Sequence, residues 1–104
     1  MDTLPGPVTS ITVIGRRWFD RINGNTYFTA VILVNGAFVH KIEYRYGYGN
    51  QYEWDAADWL ETNGYLIGRK HSSNGSVEAL SFYCHDRNIT LYTDAVKVGR
   101  KKDL

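Results

Sequence analysis

A single cysteine, Cys84, among 104 residues rules out a disulfide within the chain and leaves no cysteine-based zinc site that one copy could close. A reducing, cytoplasmic setting is the simplest expectation. Proline is equally scarce: Pro5 and Pro7 flank Gly6 near the start, and none follows to break a later element. No stretch approaches the roughly 18 apolar residues of a membrane span, and residues 1–7 lack the basic start and apolar run of a signal peptide. No membrane partner is therefore expected. Charge of either sign is nearly absent in the balance, with 12 Lys and Arg against 11 Asp and Glu for a net +1. No global field draws this chain to nucleic acid or to an anionic surface, so any such role has to be local.

What the chain does have is apolar and aromatic mass, 43% hydrophobic and 14% aromatic with eight tyrosines and three tryptophans. That suffices for one core without staples and argues against a disordered regulator. The expected organisation is a flexible leader over 1–7, a single domain over 8–99 and a basic tail over 100–104.

Residues 9–14 alternate and are β-branched, which predicts a first strand, with Gly15 interrupting it before the charged aromatic stretch 16–21 and the turn cluster Asn23, Gly24, Asn25. The clearest signal is two β-rich runs, 26–34 and 37–46, joined by Asn35 and Gly36, the dipeptide suited to a type I′ hairpin turn. Strict alternation puts Phe38, His40, Ile42, Tyr44 and Tyr46 on one face of the second run and Val39, Lys41, Glu43 and Arg45 on the other. Gly47 and Gly49 break that strand. Asn50 then offers an N-cap for a helix to about Asn63, ended by Gly64, with Tyr52, Ala56, Trp59 and Leu60 as its inner stripe. Ser76 suggests a cap for a second helix through about Arg87 with Val77, Leu80 and Cys84 inward, a strand over 81–84 being the alternative. Residues 89–98 read as a last strand. The order β-β-β-α-α-β predicts an α+β fold, a mostly antiparallel sheet of about four strands with one or two helices on one face.

Catalysis finds little support in these residues. His40, His71 and His85 fall at no recognised ligand or triad spacing, and Cys84 reads as a buried small hydrophobe rather than a nucleophile. The expectation is a non-enzymatic protein with no cofactor and no metal. The first helix is more informative, because Glu53, Asp55, Asp58 and Glu61 share it with no Lys or Arg, leaving the rest of the chain five positive charges in excess. Helical projection sets Trp54 beside Asp58 and Glu61, opposite the inner stripe. Two readings stay open: the indole projects as an interface anchor, or it folds over the Gly47 to Gly49 turn or under the loop 68–75. The tyrosines around that turn, including Tyr46 and Tyr48, lie nearby. Arg16, Arg17 and Arg21 around Trp18 form a second candidate, a loop whose guanidinium groups could contact phosphates while the indole stacks on a base. A double-stranded RNA reader is disfavoured, since the helix after three strands carries acids where that module needs lysines.

The segments Arg17-Trp18-Phe19, Gly24-Asn25-Thr26-Tyr27, Val34-Asn35-Gly36, Tyr46-Gly47-Tyr48-Gly49, Trp59-Leu60-Glu61 and Asn63-Gly64-Tyr65 together resemble a group of small accessory proteins of tailed bacteriophages and prophages. The likeness covers roughly 11–66 and is one of pattern, with no active site to carry over. It implies a viral protein acting in the bacterial cytoplasm by occupying a host protein, in its sharpest form an anti-CRISPR inhibitor seated on the nucleic-acid-binding surface of a CRISPR effector. Under that reading Trp54, Asp55, Asp58, Glu61, Tyr46 and Tyr48 form the partner-binding surface, the carboxylates standing where phosphates would lie. The alternative is a small nucleic-acid-binding domain using Arg16, Arg17, Trp18 and Arg21. An unpaired strand edge leaves a homodimer open.

Overall fold

The computed structural model describes residues 7–47 and 49–104. Strand β1 (Ser10–Asp20), β2 (Asn25–Val34) and β3 (Ala37–Tyr46) are followed by α1 (Gln51–Thr62), α2 (Leu80–Asp86) and β4 (Thr90–Val98), and a 3-10 turn (Lys101–Asp103) ends the order. The strands form one sheet in the order β3-β2-β1-β4, antiparallel except where β4 lies parallel to β1. Both helices pack on one face. This is the expected α+β architecture.

The β2–β3 turn is built as its sequence predicts, with Asn35 at φ 53° and Gly36 at φ 82°, a left-handed pair that suits the strand twist. Asn35 also does tertiary work. Its Oδ1 accepts hydrogen bonds from the Thr9 and Ser10 amides at 2.7 and 3.1 Å, and its Nδ2 donates to the Pro7 carbonyl, so the start of β1 is tied to the turn.

β1 departs from expectation. It does not stop at Gly15 but continues through the charged stretch to Asp20, so Arg16, Arg17 and Trp18 sit in a strand rather than a loop. Gly15 is there for packing: a Cβ at this position would lie 2.9 Å from the Tyr52 ring, which rests directly on the strand. With β1 continuous, Ile11 and Val13 face the helices along with Phe28, Ala30, Ile32 and Val34 of β2. Ile42, Ala56, Ala57, Leu60, Leu66, Leu80, Tyr83 and Cys84 complete the core.

β3 also departs from strict alternation. Val39 is an extra residue between the pairs Ile32 with His40 and Leu33 with Phe38. Glu43 and Tyr44 together oppose Thr29, between the pairs Phe28 with Arg45 and Ala30 with Ile42. Each bulge moves the residues beyond it to the other face. His40 and Ile42 share the helix side, opposite Ile32 and Ala30. Phe38, Tyr44 and Tyr46 do not share it, and Arg45 crosses to the helix side, where Nη1 reaches Asp55 Oδ2 at 3.2 Å.

α1 buries Tyr52, Ala56 and Leu60 of the expected stripe, while Trp59 is half-buried with its ring stacked on His40, centroids 4.3 Å apart. α2 is shorter than expected, with Leu80, Tyr83 and Cys84 buried, and the strand alternative for this segment is not adopted. Ser76 and Val77 belong instead to a loop pinned by a bridge between His71 and Val77. The Glu78 amide donates to the Lys70 carbonyl, which holds the chain out of helix until Ala79.

Candidate functional site

Three of the four carboxylates of α1, those of Asp55, Asp58 and Glu61, are spoken for by the chain itself. Arg69, whose side chain is 0% exposed, enters from the loop beyond α1 and donates from Nη1 to Asp58 Oδ1 at 2.9 Å and Glu61 Oε1 at 3.0 Å, and from Nε to the Glu78 carbonyl at 2.8 Å. His71 Nε2 lies 2.6 Å from the second oxygen of Glu61. Burial pulls the Glu61 carboxyl upward, but the hydrogen bonds from His71 and Arg69 outweigh it and hold the group below the usual carboxylate range. Asp55 is only 17% exposed at its side chain, held between Arg45 and Gln51 Nε2. Asp58 alone of the paired acids stays open, at 68%. Trp54 is half-buried.

The expected patch is therefore not one surface. Tyr46 lies on the opposite side of the sheet from α1, 61% exposed, and Tyr48 falls outside the described residues. The residue not anticipated from the sequence is Arg69. No local signal marks it, because its burial depends on a loop closing over a helix face eight and eleven residues earlier in the chain.

The second candidate set also divides. Arg16 and Trp18 project onto the sheet face away from the helices, whereas Arg17 points to the helix side, its Nη1 donating to the Gly49 carbonyl at 3.4 Å. Arg21 is exposed in the β1–β2 turn. Arg16 Nη1 donates to the Asp103 carbonyl at 3.2 Å, so the 3-10 turn folds back over this face instead of trailing away as a tail. Thr29 is buried beneath it, beside Tyr44 and Leu104.

What the structure gathers on the sheet face opposite the helices is a row of aromatic rings crossing three strands. Trp18 of β1 stacks on Tyr27 of β2 at 5.9 Å, and Tyr27 on Tyr44 of β3 at 4.8 Å, with interplanar angles of 24° and 16°. Tyr46 meets Tyr27 edge-on at 5.8 Å, and the Lys101 ammonium sits 4.8 Å over the outer face of Tyr44. Rings this close and nearly parallel across strands stand upright from the sheet, with their faces against one another and their edges outward. Desolvation first, and then Tyr27, raise the Tyr44 hydroxyl above its ordinary value. Around the row, Phe38, Tyr92 and Val96 extend the apolar surface, and Arg16, Lys41 and Lys102 alternate with Glu43 and Asp94.

Groups of catalytic type are kept apart. Cys84 is buried, its thiol pushed up to about 11 by desolvation, while its neighbour His85 is exposed. Among the described residues no three His, Cys, Asp or Glu side chains gather as a metal ion would require, and no helix is long and apolar enough to cross a membrane. Comparison with protein-family models, curated protein sequences and solved structures returned no match.

Proposed function

We propose that this protein is a non-catalytic binding module that occupies a partner protein through the sheet face opposite its two α-helices. The observation that carries the reading is the upright row Trp18, Tyr27 and Tyr44 with Tyr46 at its edge, on a face to which neither helix contributes. Half-buried rings, Trp18 and Tyr27, flanked by the exposed Tyr44 and Tyr46 within a rim of mixed charge have the composition of a protein interface, in which a few rigid rings supply most of the affinity. A nucleic-acid platform needs open ring faces for bases, and here the faces of Tyr27 and Tyr44 are taken by neighbouring rings and by Lys101. Net charge of +1 gives little phosphate attraction beyond that. The phage-type resemblance makes a bacterial host protein the partner class, with a CRISPR effector as its sharpest case. The contact surface, however, is assigned to the sheet rather than to the acidic helix, where Asp55, Asp58 and Glu61 are already paired.

The test is affinity capture from bacterial lysate, with the wild-type chain run beside Tyr46→Ser/Tyr92→Ser on the open face and Glu53→Lys on α1. The expected result is one protein captured by wild type and by Glu53→Lys but lost with the double variant, whose Tm stays near the wild-type value. Loss with Glu53→Lys alone would return the contact to the helix. Recovery of nucleic acid, with binding that declines steeply as salt is added, would replace this reading with the Arg16 and Trp18 alternative.

A further inference from the structure

We propose that the notch at the end of the sheet, where β4 stops beside β1, is a binding site for a small phosphorylated ligand carrying a planar ring, a nucleoside phosphate in type. β1 runs to Asp20 while its pairing with β4 ends at Trp18 opposite Val98, so the β1–β2 turn stands beyond the fourth strand. The space left there is about 910 Å³ and is lined by Arg17, Trp18, Phe19, Asp20, Arg21 and Lys97. That volume falls within the range of small-ligand clefts, roughly 300 to 1,000 Å³.

Its charge is the telling feature. Arg17 and Lys97 are direct partners in the parallel register, so their side chains leave the same side of the sheet from strands about 5 Å apart. Like charges placed opposite one another weaken a sheet unless something negative lies between them. Among the described residues neither takes part in an ion pair, and Arg17 Nε is buried with no hydrogen-bond partner. Asp20 is the one carboxylate in the lining, and it is committed elsewhere. Its Oδ1 accepts from the Ile22 and Asn23 amides and its Oδ2 from Asn23 Nδ2, contacts that hold its carboxyl below the usual range. Arg21 adds a third cation at the rim. A phosphate, with close to two negative charges at neutral pH and oxygens placed to accept from several donors, meets this arrangement better than a single carboxylate does. Phe19, 54% exposed beside Trp18, offers an apolar wall against which a flat ring attached to that phosphate can lie. The site goes beyond the protein-binding face, since Arg17 and Lys97 project on the helix side of the sheet.

Calorimetric titration of the whole chain with AMP at low salt tests it, beside inorganic phosphate and adenosine as separate probes. AMP should bind with a Kd at or below about 1 mM, and each half-ligand at least about tenfold more weakly. Lys97→Gln should weaken AMP at least about tenfold, and Lys41→Gln, on the other face, should leave it unchanged. A circular dichroism melt confirms that both variants fold. Absence of AMP binding, or AMP binding indifferent to Lys97→Gln, overturns the site, and inorganic phosphate binding as tightly as AMP overturns the ring component. Lys97→Gln should leave capture of the protein partner intact, so the notch and the open face fail separately.

Discussion

Replacing Arg69 with methionine tests whether the acidic helix is a binding surface or one half of an internal clamp. The guanidinium is fully buried and makes three hydrogen bonds, two of them to carboxylates. Breaking a buried charge pair by removing one partner typically costs about 3 to 5 kcal/mol, chiefly because the other charge is left buried. Here Asp58 is 68% exposed and Glu61 29%, so both regain much of their hydration when Arg69 goes. Methionine also removes Nη2, which is buried without a partner, and fills similar apolar volume. The expected loss is therefore about 2 to 3 kcal/mol, which in a domain near this size lowers Tm by about 10 to 20 °C. Arg45→Met is the matched control, because Arg45 is 55% exposed in its pair with Asp55 and should change stability by less than about 1 kcal/mol. Thermal unfolding followed by circular dichroism measures both. Equal shifts for the two variants would refute the claim that burial of Arg69 governs this network. The same variant reads on function, since it releases the α1 carboxylates: improved partner capture by Arg69→Met would mean that the helix is the docking surface.

Two further outcomes follow from the titrating groups. Because the Glu61 carboxyl is held below its ordinary value of 4.5 in the folded chain, the stability it contributes is fully present above that value and lost as pH falls through the lowered one. Urea unfolding from pH 7 to pH 3 should show a flatter acid limb for Glu61→Gln than for wild type, and parallel limbs would refute the coupling to His71 and Arg69. Cys84 runs in the opposite sense: its thiol is raised from 9.0 to about 11, so its contribution is present below pH 9 and lost as pH rises through the folded value. A thiol reagent at pH 8 should leave the native protein unlabelled and label it once urea unfolds it; rapid native labelling would contradict the burial.

Local signals carried far along this chain, and the places where they stopped carrying are physically alike. The left-handed turn at Asn35 and Gly36, the inner stripe Tyr52, Ala56 and Leu60, and the mixed order of strands and helices are set by backbone preference and by spacings of two to four residues. Such information is written in consecutive residues. Gly15 looked like a strand break on the same reasoning, because a glycine's local effect is visible in sequence and the Tyr52 ring that rests on it is not.

The sequence by itself thus determined the fold class, the hairpin, the buried stripe of α1, the burial of Cys84 and the segregation of acids onto one helix. Only the tertiary structure decided which surface those acids leave free, because Arg69 closes on them from another part of the chain. It also decided the aromatic row, since the bulge at Glu43 and Tyr44 takes Tyr44 and Tyr46 off the side of Ile42 and sets them beside Trp18 and Tyr27, and a bulge is fixed by the partner strand. The pairing of Arg17 with Lys97 depends likewise on β4 adding parallel to β1, some eighty residues along the chain. Backbone preference acts between neighbours, whereas pairing across strands and burial of charge act between residues the fold alone brings together.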